Sequence, residues 1–124
     1  VPIIEPEVDI HSATKAEIEE SLRDKLAASL DSVPEGKQVV FKLSLPSQAN
    51  FYAPLIDHPK VMRVVALSGG YSRDEACTML AANHGMIASF SRALSEGLTA
   101  QMSEEEFTAT LDAAIAEIYA ASIT

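Results

Sequence analysis

Apolar residues fall in two alternating rhythms along this chain. Four short runs have strand character: Val1-Pro2-Ile3-Ile4-Glu5-Pro6-Glu7-Val8, Val39 to Leu45, Val61 to Leu67, and residues 86–90. Between them the period lengthens to that of a helix. Ile18, Leu22, Leu26 and Leu30 recur every four residues and predict one apolar stripe. Phe107, Leu111, Ala114, Ile115 and Ile118 predict a second stripe on a C-terminal helix. Three Ser/Thr-x-x-Glu boxes mark helix starts at Thr14, Ser72 and Ser103, where the hydroxyl and the carboxylate can each satisfy an orphan backbone N–H. Pro34-Glu35-Gly36 and Gly85 punctuate the elements. Shorter helices are expected over Asn50 to Ile56 and Ala93 to Leu98.

The resulting order is strand–helix, four times over. Such alternation implies parallel strands joined through helices. A complete (β/α)8 TIM barrel needs eight units and about 250 residues. The 124 residues therefore hold the content of half a barrel. An open four-stranded α/β sheet is the competing architecture, and periodicity does not separate the two.

Composition narrows the function classes. Nine basic against eighteen acidic residues give a net charge of −9, which disfavours nonspecific binding to nucleic acid or anionic membranes. No apolar run reaches the length of a membrane span, and no signal peptide is evident. With a single cysteine, Cys77, no intrachain disulfide can form, as befits a reducing compartment. Cys77 itself reads as a small buried apolar residue. His11, His58 and His84 are scattered without ligand spacing, so surface or capping roles are expected and no metal site. The chain opens directly on a strand without an initiator Met, as a piece of something longer would.

Candidate chemistry gathers at the strand ends. Lys42 stands inside an apolar strand, where an amine is costly to bury. Side chains alternate, so Val40, Lys42 and Ser44 share one face and Val39, Phe41, Leu43 and Leu45 the other. Glu5 and Glu7 share a face of the first strand. A lysine made neutral by burial can attack a carbonyl to form a Schiff base, with a nearby glutamate moving protons. The plainer reading is a half-exposed strand lysine paired with a surface carboxylate. Ser68-Gly69-Gly70 ends the third strand; its glycines allow close backbone approach and its N–H groups can cradle an anion. Arg92, after the fourth strand, can offer a bidentate guanidinium to a phosphate. The plainer reading here is an ordinary turn and a solvated arginine.

Four motifs in order, V-P-I-I-E-P-E-V, F-K-L-S-L-P, A-L-S-G-G-Y-S-R-D-E-A and A-S-F-S-R-A-L, resemble class I fructose-bisphosphate aldolase, most closely its bacterial branch. The resemblance covers essentially the whole chain and places residues 1–124 as the C-terminal half of a TIM barrel, strands five to eight. It implies reversible cleavage of fructose 1,6-bisphosphate to dihydroxyacetone phosphate and glyceraldehyde 3-phosphate. Lys42 matches the Schiff-base lysine, Glu5 the glutamate that handles protons, and Glu7 a second active-site glutamate. Ser68, Gly69 and Gly70 match the loop holding the ketose phosphate, and Arg92 its arginine. No metal or other cofactor is implied, and the location implied is cytoplasmic. Expected partners are a phosphorylated sugar, the N-terminal half of the same barrel, and a second copy of the chain through open strand edges. The family's aspartate and two further lysines belong to its first four strands. Where animal enzymes have Ser-Tyr-Gly-Arg, this chain has Ser91 in the glycine's place, and Tyr119 is no equivalent of their C-terminal tyrosine. The alternatives are a non-catalytic half-barrel stable only by association, and another Schiff-base lyase acting on a phosphorylated ketose.

Overall fold

In the computed structural model, which describes all 124 residues, four strands lie side by side in chain order. They are β1 (Ile3–Ile4), β2 (Val39–Ser44), β3 (Val61–Leu67) and β4 (Met86–Ala88), and every pairing is parallel. Helices α1 (Lys15–Ser29), α2 (Ala53–Ile56) and α3 (Arg73–Ala81) connect them; α4 (Arg92–Ser95) and α5 (Glu104–Ser122) follow β4. The predicted βα alternation is present in full.

Sequential strand order has a topological consequence. Right-handed crossovers that always step in the same direction leave their helices on one face of the sheet. A doubly wound sheet reverses its order and is covered on both faces. Here Phe41, Leu43, Val64, Ala66 and Met86 are fully buried, in one core with Leu26, Leu30, Leu55, Ala76, Leu80 and Ala121 from the helical layer. On the opposite face Val40, Lys42, Val65, Leu67 and Ile87 are partly exposed. Lys42 sits beside Val65, and Val65 beside Ile87, in a row across that face. The alternation read from β2 is thus realised residue by residue.

Several expectations are corrected. The first strand is two residues long rather than eight. Pro6 has no N–H to continue a ladder, so pairing stops at Ile4. The fourth strand ends at Ala88, although the Ser89 N–H still donates to the Ala66 carbonyl at 2.8 Å. The short helix α4 begins at Arg92 and stops at Ser95. Two of the three capping boxes form, at Ser72 and Ser103, each with ψ near 160°. Thr14 does not cap: its ψ of 25° turns the hydroxyl away from the first turn, and it lies against the Ser12 hydroxyl instead. In the two formed boxes, hydrogen bonds hold the carboxyls of Glu75 (chiefly from the Ser72 hydroxyl) and Glu106 (chiefly from the Ser103 backbone) below the ordinary range. These caps therefore support the folded state at neutral pH and weaken as acidification protonates them.

The stripes are also narrower than predicted. Ile18 is exposed on α1, and α5 buries Ala114 and Ala121 while Phe107 and Ile115 remain exposed. Small residues let α5 lie close to its neighbours, and the Ser122 hydroxyl accepts the Ala88 N–H at 3.0 Å. Ile115, Ile118, Tyr119 and Ile123 line an apolar groove of about 550 Å³ with Ile87 and Phe90 of the edge-strand region. No helix is long and apolar enough to cross a membrane.

Candidate active site

The carboxyl ends of all four strands open on one side of the sheet. Lys42 approaches from β2, and its Nζ donates to Glu5 Oε2 at 2.9 Å. The lysine side chain is 28% exposed and the glutamate 50%. By itself that pair fits the plainer reading of a screened strand lysine. Its surroundings distinguish it. Glu5, Glu7, Lys42, Ser68, Gly69 and Arg92 line one cavity of about 150 Å³, together with Leu67, Ser89 and Ser91. Two carboxylates that follow β1, an amine from β2 and a guanidinium that follows β4 thus meet the glycine turn after β3 in one small polar space. Arg92 is exposed there and belongs to none of the ion pairs within the protein.

Six of the seven residues singled out from the sequence share this cavity. Gly70 does not line it. The turn closes with the Tyr71 N–H on the Ser68 carbonyl at 3.0 Å, and Gly70, at φ 106°, shapes the backbone rather than the wall. Gly69 has φ 62°, and a Cβ built there would lie 3.0 Å from Ile10 Cγ2 and 3.3 Å from Leu67 Cδ1. A β-branched residue at such a φ is strongly disfavoured. Gly69→Val should therefore lower stability by about 1–3 kcal/mol, the usual range for stored backbone strain, read as an earlier unfolding midpoint in denaturant.

Three lining residues were not singled out. Ser89 lies two residues beyond Ile87, so the same alternation that placed Lys42 could have placed it. Ser91 is the N-cap residue of α4, and Leu67 ends β3. The supports beneath the site were also missed. Lys15 and Glu19 form a buried ion pair one helical turn apart. Lys15 Nζ donates to the Leu45 carbonyl at 2.8 Å and to Ser47 Oγ at 3.2 Å, and the Ser47 N–H donates to Glu19 at 3.0 Å. This network ties α1 to the exit of Lys42's own strand. In the sequence it looks like any helix-surface pair. Elsewhere, Arg73 at the start of α3 donates to the Ala93 and Glu96 carbonyls and to Glu117, fastening α4 and its Arg92 to the helix after the glycine turn. Cys77 is buried beneath this network; burial first, then the Glu117 carboxylate, pushes its thiol up to about 11. It stays protonated, as its reading as a small apolar residue implies.

The site belongs to a parallel βα protein whose strand ends carry a lysine–carboxylate pair, a glycine turn and an unpaired arginine. No protein-family model matches the chain. Three curated relatives do, all named fructose-bisphosphate aldolase class 1. The chain is 56% identical to that of Synechocystis sp. over 124 residues, 54% to that of Porphyromonas gingivalis over 123, and 52% to that of Clostridium acetobutylicum over 124. Each alignment takes in 99–100% of this chain and 41–42% of the relative. The chain belongs to the class 1 fructose-bisphosphate aldolase family, and spans about 41% of the length of these relatives.

Proposed function

We propose that residues 1–124 are the C-terminal half of a (β/α)8 barrel, strands five to eight, in a protein that reversibly cleaves fructose 1,6-bisphosphate to dihydroxyacetone phosphate and glyceraldehyde 3-phosphate. One observation carries the reading: Lys42, paired with Glu5 at 2.9 Å, shares its cavity with Ser68, Gly69 and Arg92. Lys42 gives up a proton and its neutral amine attacks the ketose carbonyl. Glu5, already at hydrogen-bonding distance, returns a proton as the carbinolamine loses water. With a carboxylate of the cavity taking the proton of the β-hydroxyl, the iminium accepts the electron pair released when the bond between its α and β carbons breaks, giving an aldehyde and an enamine on Lys42. Glu7, on the same segment, is a second carboxylate within the cavity. The N–H groups of the Ser68 to Gly70 turn and the Arg92 guanidinium hold the ketose phosphate.

The one-sided helical layer and the two open sheet edges support the barrel assignment, since closure would bury both. The family resemblance puts an aspartate and two lysines in the remaining length. A cytoplasmic location fits a chain with a single, buried thiol. Cleavage of fructose 1,6-bisphosphate by the full-length protein, undiminished by chelator, is the expected result. No cleavage, or cleavage abolished by chelator, overturns the reading.

Arg92→Ala tests the phosphate site. It removes a charge-assisted contact of about 1.5–3 kcal/mol, so binding of the phosphorylated substrate should weaken roughly 10- to 150-fold. Titration with inorganic phosphate as a competitor measures this, and unchanged affinity would mean that the phosphate sits elsewhere.

A further inference from the structure

The segment that carries both carboxylates is fastened to β2 at its two ends. Ladder pairing stops at Ile4 beside Phe41, and Pro6 cannot extend it. The next attachment is made by a side chain. The Ser44 hydroxyl accepts the Val8 N–H at 2.9 Å and donates to the Val8 carbonyl at 3.0 Å. Ser44 is 1% exposed and Val8 4%. One hydroxyl thus stands in for a rung of the missing ladder, and satisfies both polar groups of a buried residue that would otherwise lack partners. Ser44 lies two residues past Lys42 and faces the same side of the strand. Between the two attachments, Glu5-Pro6-Glu7 spans Lys42 as a short bow, with Glu5 on its amine.

We infer that Ser44 is a positioning residue: by gripping Val8 it sets where the Glu5 and Glu7 carboxylates stand relative to the Lys42 amine. The inference rests on the imine-forming role proposed for Lys42. Ser44 does not line the cavity, and the charged phosphate contact proposed above, Arg92, follows β4, two strands away from β2. Loosening the bow should therefore impair proton transfer and leave substrate binding almost intact.

The test uses the full-length protein and its Ser44→Ala and Ser44→Thr variants. Displacing catalytic groups by about 1 Å costs up to roughly 100-fold, so Ser44→Ala should lower kcat about 10- to 100-fold. KM should stay within about threefold, the signature of a lost transition-state interaction rather than lost uniform binding. The rate of borohydride trapping at Lys42 should fall in parallel, and the acid limb of the kcat–pH profile should move. Ser44→Thr keeps the hydroxyl and should recover most of the rate. Should Ser44→Ala fail to fold, Ser44→Cys, close in size but a weak hydrogen-bonding partner, takes its place. An unchanged kcat in Ser44→Ala, equal losses in the Ala and Thr variants, or a loss confined to KM overturns the positioning role. A wild-type protein that is not trapped at Lys42 overturns the aldolase reading itself, a different outcome from a trapped wild type with an unimpaired variant.

Discussion

Lys42→Met in the full-length protein should remove all measurable cleavage of fructose 1,6-bisphosphate and leave the fold in place. Lys42 is the only lysine lining the cavity, and a guanidinium cannot replace its amine as a nucleophile. Without a nucleophile there is no iminium, hence no electron sink for the bond that breaks. The structural cost is small by comparison. The Lys42–Glu5 pair is partly exposed on both sides, and such pairs contribute about 0–1 kcal/mol. The methionine stem replaces the lysine's methylenes against the strand. Thermal unfolding should therefore change little while turnover vanishes. Retained cleavage in Lys42→Met would move the covalent chemistry to another residue.

The second large effect concerns the 124 residues on their own. They should not be a competent aldolase. β1 and β4 each leave a sheet edge open, and unpaired edges invite association. Ile3 is 55% exposed on the edge strand β1, and Tyr119, 66% exposed, lines the groove beside β4. The relatives have more than half their length beyond the matched part, and those residues would cover these surfaces. The purified piece should dimerise, bind the missing half, or aggregate, and any imine it forms should turn over very slowly. Light scattering together with a cleavage assay checks this. A stable monomer cleaving at close to the rate of the full-length protein would contradict it, and restored activity on adding the remaining half would support it.

Much of this was legible in the sequence because it depends on local periodicity. The alternation through Val39 to Leu45 placed Lys42 opposite Phe41 and Leu43, and those two are fully buried while Lys42 is not. β3 carries the boundaries that its apolar run predicts. The boxes at Ser72 and Ser103 cap because their backbone is extended there; Thr14 has the same spacing but a different ψ, which spacing does not encode. Contacts between distant segments were hidden for the same reason. Ser44 and Val8 are 36 residues apart, and Lys15 meets Leu45 across 30. Nothing in their local patterns marks them as partners. The short reach of β1 was readable in hindsight from Pro6. The exposure of Phe107 and Ile115 was not, since an apolar stripe shows which face is apolar and not how much of it is covered within this chain.

Trapping the imine tests the proposed chemistry most directly. Full-length protein incubated with dihydroxyacetone phosphate and reduced with borohydride should carry one stable adduct, and peptide mapping should place it on the segment containing Lys42. An adduct on a different lysine, or none while cleavage proceeds, would contradict the assignment of Lys42 as the nucleophile.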